Sequence, residues 1–314
     1  MSHALAVVSP ASPLASLAGL ASPADILAAW LAGKDALTVA AYRRDLESFR
    51  AYLAPHELGG FLAADAGTAH ATAHGYRAAL LAQGLAPATV NRKLSALRSV
   101  VAFARMVGAV TWTLELPGVE SAKYRDTRGP GVQGFRAILA GFAGRTDAKA
   151  ARDVAVLRLL FDVALRRAEV VSLDLAHLDL EAGTLAVLGK KRRERERLTL
   201  PAPTRAALAA WCAVRGDAPG PLFGNFDRAG KGERLTGRSV ARIVAAASEV
   251  AGVGTVRPHG LRHAAITHAL DVAGGDVRRV AKFSRHRDLR TLTIYDDNRT
   301  DLAGEVAALV AGAA

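Results

Sequence analysis

The run TLAVLGKKRRERERLTL, residues 184–200, is where the periodicity of the chain changes. TLAVL (184–188) and RERLTL (195–200) are short β-compatible segments, and the polar run Gly189-Lys190-Lys191-Arg192-Arg193-Glu194 between them predicts a hairpin with a basic tip. Outward in both directions the pattern is helical. After the hairpin, apolar three- and four-residue spacing predicts helices over about 203–215, 236–251, 260–272, 276–284 and 301–311; before it, over about 132–144 and 148–164. Further upstream, Ser22-Pro23 is a cap followed by proline at the first helical position. A second helix opens at Thr38 and repeats Tyr42, Leu46, Phe49 and Leu53; a third lies within 66–82; a fourth follows Pro87 with Val90, Leu94, Leu97, Val101 and Ala104 inward. The fold class is therefore mainly α with one small antiparallel β-sheet. It divides into a helical domain at 22–115, a linker at 116–131 (LPGVESAKYRDTRGPG) rich in Pro, Gly and charge, and a second domain at 132–314. Residues 1–21 have no period and read as a loose tail.

Length and charge fit this division. The 314 residues suffice for two cores, and the formal charge of +12 is concentrated: residues 1–120 carry 9 basic and 8 acidic side chains, 121–314 carry 32 and 21. A polyanion-binding surface would thus lie mainly in the second half, although Arg43 and Arg44, and Arg92, Lys93 and Arg98, give the first domain two basic helix faces that read either as solvated surface or as DNA contacts. Of the apolar residues 67 are alanine, which buries little area, and no apolar run reaches the roughly 18–20 residues of a membrane span. The N-terminal stretch is broken by Pro10, Pro13 and Pro23 and lacks a charged leader, so a secreted or membrane protein is not expected. The single cysteine, Cys212, can form no internal disulfide or thiolate metal cluster, which fits a cytoplasmic location.

The chemistry-bearing residues all fall in the second domain. Arg166 lies in FDVALRRAEVVSL with Glu169 three residues on; Lys190 opens the hairpin turn; His259 and Arg262 share one side of a helix in H-G-L-R; His286 and Tyr295 lie in SRHRDLRTLTIYDDN. Singly, each has an ordinary reading as an ion pair, a solvated lysine or a packed tyrosine. Together their order and spacing are distinctive, with 24 residues from Arg166 to Lys190, 24 from Arg262 to His286 and nine from His286 to Tyr295. This Arg–Lys–His-x-x-Arg–His–Tyr series resembles the tyrosine recombinase family of phage integrases and Xer-type chromosome-dimer recombinases. ALRRAEVVSLDLAHLDLEAGTLAVLGK, HGLRHAAITH and H-x-x-L-x-T-x-x-I-Y from His286 match the family's motifs, and TVAAYRRDLESFRAYL and TVNRKLSALRSVVAFA resemble its helical core-binding domain. The resemblance spans about residues 23–311.

It implies attack of the Tyr295 hydroxyl on a scissile DNA phosphodiester, a 3′-phosphotyrosine and a free 5′-hydroxyl. Arg166 and Arg262 would clamp the non-bridging oxygens, His286 would donate a further bond, His259 would serve as general base and Lys190 as general acid, with Glu169 supporting Arg166. Protein cations would supply the charge stabilisation, with no metal and no cofactor. Strand exchange through a Holliday junction implies a tetramer on two double-stranded DNA sites, formed by one chain or with a paralogous recombinase, and the terminal segment with Leu302, Val306, Leu309 and Val310 on one face would dock on a neighbouring subunit or on its own domain. Lys191, Arg192 and Arg193 would add DNA contacts. A type IB topoisomerase or a non-catalytic DNA-binding relative are the alternatives. Two positions depart from the pattern: Ala164 and Arg285 stand where the family has glycine, and both tolerate a positive φ less well. Arg285 reads either as an extra phosphate contact or as a solvated side chain.

Overall fold

The computed structural model describes residues 22–53, 58–120, 129–189, 194–226, 230–286, 288, 289, 292, 304 and 310–312. The chain divides into two compact units, Met1–Lys123 and Tyr124–Ala314.

The first unit is helical: α1 (Pro23–Leu31), α2 (Ala36–Leu53), α3 (Leu58–Ala63), α4 (Ala66–Ala82) and α5 (Pro87–Met106). Ser22 caps α1 by accepting from the Asp25 amide, with Pro23 in the first turn. The inward positions of α5, Val90, Leu94, Leu97, Val101 and Ala104, are all buried. Phe49 of α2 meets Phe61 and Tyr76 edge-on at 4.9 Å each, which ties α2, α3 and α4 into one core. Residues 109–120 are not free linker. Leu114 and Leu116 are buried against this core, Arg98 Nη1 donates to the Leu116 carbonyl at 2.7 Å, and Asn91 bonds both the amide and the carbonyl of Val119. Residues 116–120, the first part of the expected linker, thus pack with the first unit, because Leu116 is worth more buried than solvated.

The second unit comprises α6 (Gly131–Ala140), α7 (Ala148–Phe161), α8 (Arg167–Val171), a 3₁₀ turn (Leu175–His177), strands β1 (Leu178–Asp179), β2 (Thr184–Leu188) and β3 (Arg195–Thr199), then α9 (Ala202–Arg215), α10 (Gly237–Val250), α11 (Pro258–Val272) and α12 (Val277–Ser284). The sheet is antiparallel in the order β1-β2-β3, with Leu185 opposite Leu198 and Val187 opposite Glu196. Alternation places Leu185 and Val187 in the core, as the hairpin reading requires. Helix α7 runs through the centre of the unit, with Leu157, Leu159 and Leu160 fully buried. Of the helix expected at 301–311, only 304, 310 and 311 are among the described residues.

Two helices stop short because of the backbone. Among the described residues, Ala164 (φ +47°) and Arg285 (φ +57°) are the only non-glycine residues with positive φ. Ala164 turns the chain after α7, where the Leu165 amide reaches back to the Leu159 carbonyl at 3.0 Å, and Arg285 ends α12 in the left-handed conformation. A third turn fixes the start of α11. Gly129 (φ +63°) lies so close to Gly260 that a Cβ on it would sit 2.0 Å from the Gly260 carbonyl oxygen. Gly129→Ala should therefore destabilise the second unit by about 2 kcal/mol or more in urea denaturation. Gly131→Ala, also at positive φ (+64°) but with nothing near its Cβ, should cost only the conformational strain of roughly 1 kcal/mol.

Candidate active site

Arg166, Glu169, His259, Arg262 and His286 converge from three segments of the second unit. Arg166 caps α8 and Glu169 lies one turn in; His259 and Arg262 occupy the first turn of α11; His286 follows α12. Glu169 is 3% exposed and fully engaged: Oε1 accepts from Arg166 Nη1 at 2.8 Å, and Oε2 accepts from the Arg166 amide at 2.8 Å and from Arg285 Nη2 at 3.0 Å. Arg262, 2% exposed, donates to the carbonyls of Ala164 and Ser284. Both carbonyls belong to the left-handed turns, one at the Ala164 turn and one immediately before Arg285. The two turns thus aim their carbonyls at the guanidiniums, and the Arg166 side chain, 28% exposed, keeps part of its fork open to a ligand.

Arg285 is placed differently from either reading of the sequence. Its side chain is 3% exposed, donating to Glu169 and to the carbonyls of Val163 (3.1 Å), Ala164 (2.8 Å) and Phe283 (3.2 Å). It is neither a solvated side chain nor turned outward toward a phosphate. Ser284 is a residue the sequence did not flag; its hydroxyl lies 2.8 Å from His286 Nδ1 and 2.7 Å from the Val280 carbonyl. The single hydroxyl proton of Ser284 goes to the Val280 carbonyl, so Oγ accepts from His286 Nδ1–H and the Nε2 of the neutral ring faces away as an acceptor.

Burial pulls the pKa of His286 down from 6.5 to about 4, helped by Arg262, Arg166, Arg285 and His259. His259 is lowered for the same reasons, crowding first and then Arg262 and Arg166, even though its ring keeps an exposed face. Both imidazoles are therefore neutral at pH 7. Burial pushes the Glu169 carboxyl up, but Arg285 and Arg166 outweigh it and hold the pKa below the usual glutamate range. The site is thus a fixed cationic cluster with one ionised carboxylate inside it.

Lys190, Lys191, Arg192, Arg193 and Tyr295 lie outside the described residues. Strands β2 and β3, which flank the hairpin tip, border the site: Glu196 of β3 interacts electrostatically with Arg285. In the first unit Arg43 and Arg44 are exposed on α2, Arg92 is exposed and paired with buried Asp45, and Lys93 is half-buried, while Arg98 is committed to the Leu116 carbonyl.

Residues 137–301 match the phage integrase family, and residues 33–108 match the phage integrase N-terminal SAM-like domain. The chain belongs to the tyrosine recombinase family. A tyrosine recombinase of Synechocystis sp. is 40% identical over 261 residues, covering 82% of this chain and 83% of the relative, and one of Synechococcus elongatus is 39% identical over 275 residues, covering 84% and 86%. The tyrosine recombinase XerC of Pseudomonas putida is 33% identical over 265 residues, covering 82% and 84%. The fold is that of the Tn1549 transposon integrase solved with transposon right end DNA (TM-score 0.69, 14% identity, covering 91% of this chain and 98% of that one). It is also that of the XerH site-specific recombinase bound to its difH substrate (TM-score 0.65, 18% identity, covering 87% and 79%). This member of the tyrosine recombinases is accordingly an enzyme of DNA strand breakage and rejoining, and among its described residues no helix is long and apolar enough to cross a membrane.

The lowered pKa of His286 has a stability consequence. Between pH 6.5 and about 4 the unfolded chain binds a proton at His286 that the folded chain does not, so the contribution is intact above pH 6.5 and is lost as the pH falls. The urea midpoint of the recombinase should drop more between pH 7 and pH 4.5 than that of His286→Gln; equal drops would refute the neutral-imidazole assignment.

Proposed function

We propose that the chain is a site-specific recombinase in which Tyr295 Oη attacks a scissile phosphodiester, the P–O5′ bond breaks, and a 3′-phosphotyrosine is left with a free 5′-hydroxyl. The observation that carries this reading is the pairing of two guanidiniums, Arg166 and Arg262, anchored on the Ala164 and Ser284–Arg285 turns beside two neutral imidazoles. Arg166 and Arg262 hold the two non-bridging oxygens and stabilise the charge that grows on them in the transition state. His286, whose Nδ1–H is held by Ser284 Oγ, donates to the same phosphate from Nε2 once the bound anion has brought a proton onto that nitrogen. His259, neutral at pH 7, takes the Tyr295 proton, and Lys190 delivers a proton to the leaving 5′ oxygen. Glu169 sets the orientation of Arg166 and keeps its charge paired on one side only.

Because the phosphotyrosine conserves the phosphodiester bond energy, a 5′-hydroxyl from a second duplex can displace Tyr295 without hydrolysis or a cofactor. Two such exchanges pass through a Holliday junction and need four active sites, hence a tetramer on two DNA sites, homomeric or shared with a paralogous recombinase. The XerC relative supports an Xer-like role, and that role would place the chain in the cytoplasm, on the nucleoid. Arg43, Arg44, Arg92 and Lys93 would meet DNA through the first domain, and Lys191, Arg192 and Arg193 at the hairpin tip. With Arg98 held by the Leu116 carbonyl, its contribution would be indirect. Such phosphate contacts give affinity that falls steeply with salt and carry no sequence information themselves.

A nicked suicide substrate should trap a covalent protein–DNA adduct that disappears with Tyr295→Phe; an adduct formed by that variant would sink the assignment of the nucleophile. Replacing the leaving 5′ oxygen by sulfur removes the need for a general acid, so this substrate should restore cleavage to Lys190→Ala but not to Arg166→Ala. Equal rescue of both variants would reject the role given to Lys190.

A further inference from the structure

We propose that Arg285 is a positioning residue of the reaction: its buried guanidinium fixes the Glu169 carboxylate and the Val163–Ala164 turn, and through them the Arg166 guanidinium. The proposal rests on the reading above, in which Arg166 holds the scissile phosphate.

The backbone first makes Arg285 a costly choice. A non-glycine residue at φ +57° carries roughly 1–2 kcal/mol of strain, and Ala164, at φ +47°, adds a second such turn beside it. Glycine, present at both places in the family pattern, would carry none. Something must offset the strain, and the side chain does. It spans from the end of α12 to the end of α7 and donates to Val163, Ala164 and Phe283 carbonyls as well as to Glu169 Oε2. The Ala164 carbonyl that it holds is also the one that Arg262 grips, so the same bond registers both phosphate-facing arginines. Its own carbonyl lies 3.4 Å from Arg166 Nη2, a long contact that still faces the same fork.

Electrostatics makes the arrangement more than a brace. A carboxylate 3% exposed needs strong compensation, and with Arg166 as its only cation it would draw that guanidinium inward and cancel its charge. The Arg285 guanidinium takes part of this task on Oε2, leaving Arg166 bound to Oε1 with a net positive cluster facing the phosphate. Arg285 touches neither substrate nor reacting atoms in this scheme; it acts through Glu169 and Arg166.

The decisive variant is Arg285→Gly, because glycine accepts φ +57° without strain and so removes the tie while favouring the turn. Arg285→Met keeps most of the stem volume and removes the charge, and urea midpoints report the folding of each. Single-turnover cleavage would be followed on the nicked substrate with the 5′ bridging sulfur, so that slow variants stay measurable, and DNA affinity would be measured separately. Arg285→Gly should cut the cleavage rate roughly 10- to 100-fold with DNA affinity changed less than about threefold, and Arg285→Lys should recover part of the rate. In an Arg166→Ala background, removing Arg285 should slow cleavage by less than about threefold, since there is no guanidinium left to position. Parent-like cleavage by Arg285→Gly, or equal slowing with and without Arg166, would overturn the proposal. An Arg166→Ala enzyme that cleaves at the parent rate would instead overturn the phosphate clamp itself, and with it the route by which Arg285 acts.

Discussion

Glu169 is an ionised carboxylate almost wholly removed from water, and such a group persists only where cations and amide donors surround it. It has Arg166, Arg285 and one backbone N–H. Each of these partners makes its own demand. Arg285 can reach Glu169 only because α12 ends in a left-handed residue, and Arg166 only because the chain doubles back at Ala164. Those two turns expose the carbonyls that hold Arg262. The buried acid, the two strained turns and the guanidiniums of Arg166 and Arg262 are therefore one mechanical unit, built on α7, α8, α11 and α12.

The same cluster sets the protonation of its neighbours. Three guanidiniums around one carboxylate leave a surplus of positive charge, and with burial this keeps His259 and His286 neutral. A neutral His259 can accept a proton, and a neutral His286, whose Nδ1–H is held by Ser284 Oγ, has its Nε2 lone pair free to take one. The imidazoles thus add no charge to the site at pH 7.

Much of this was legible in the residues, for different reasons at different places. Strands β2 and β3 follow from strict alternation around a polar run, and α5 from its apolar stripe behind Pro87. Helix α3 was not foreseen, since LGGFLA carries two glycines and is too short for a period; it exists because Leu58, Phe61 and Leu62 are buried by their neighbours. Strand β1 is two residues long and is defined only by its pairing with β2. The site residues were found by order and spacing, which locate chemistry without describing its geometry. Arg285 shows the limit. Within SRHRDLR it looks like one more surface cation, and only its place at a glycine position hinted otherwise; the burial that defines it depends on Val163, Ala164 and Glu169, more than 110 residues away. Leu116, at the start of the expected linker, likewise packs on the first unit because its partners lie in other helices.

The wide sequence separation of these partners bears on how the protein is made. Arg262 takes its carbonyls from positions 98 residues before it and 22 after it, and Glu169 receives Arg285 from 116 residues downstream. During synthesis, the first unit and most of the second can fold while the clamp is still missing a side, because Ser284 and Arg285 emerge late and Tyr295 later still. A chain that has not yet reached Ser284 and Arg285 therefore lacks one of the two carbonyls that hold Arg262 and one of the two cations on Glu169.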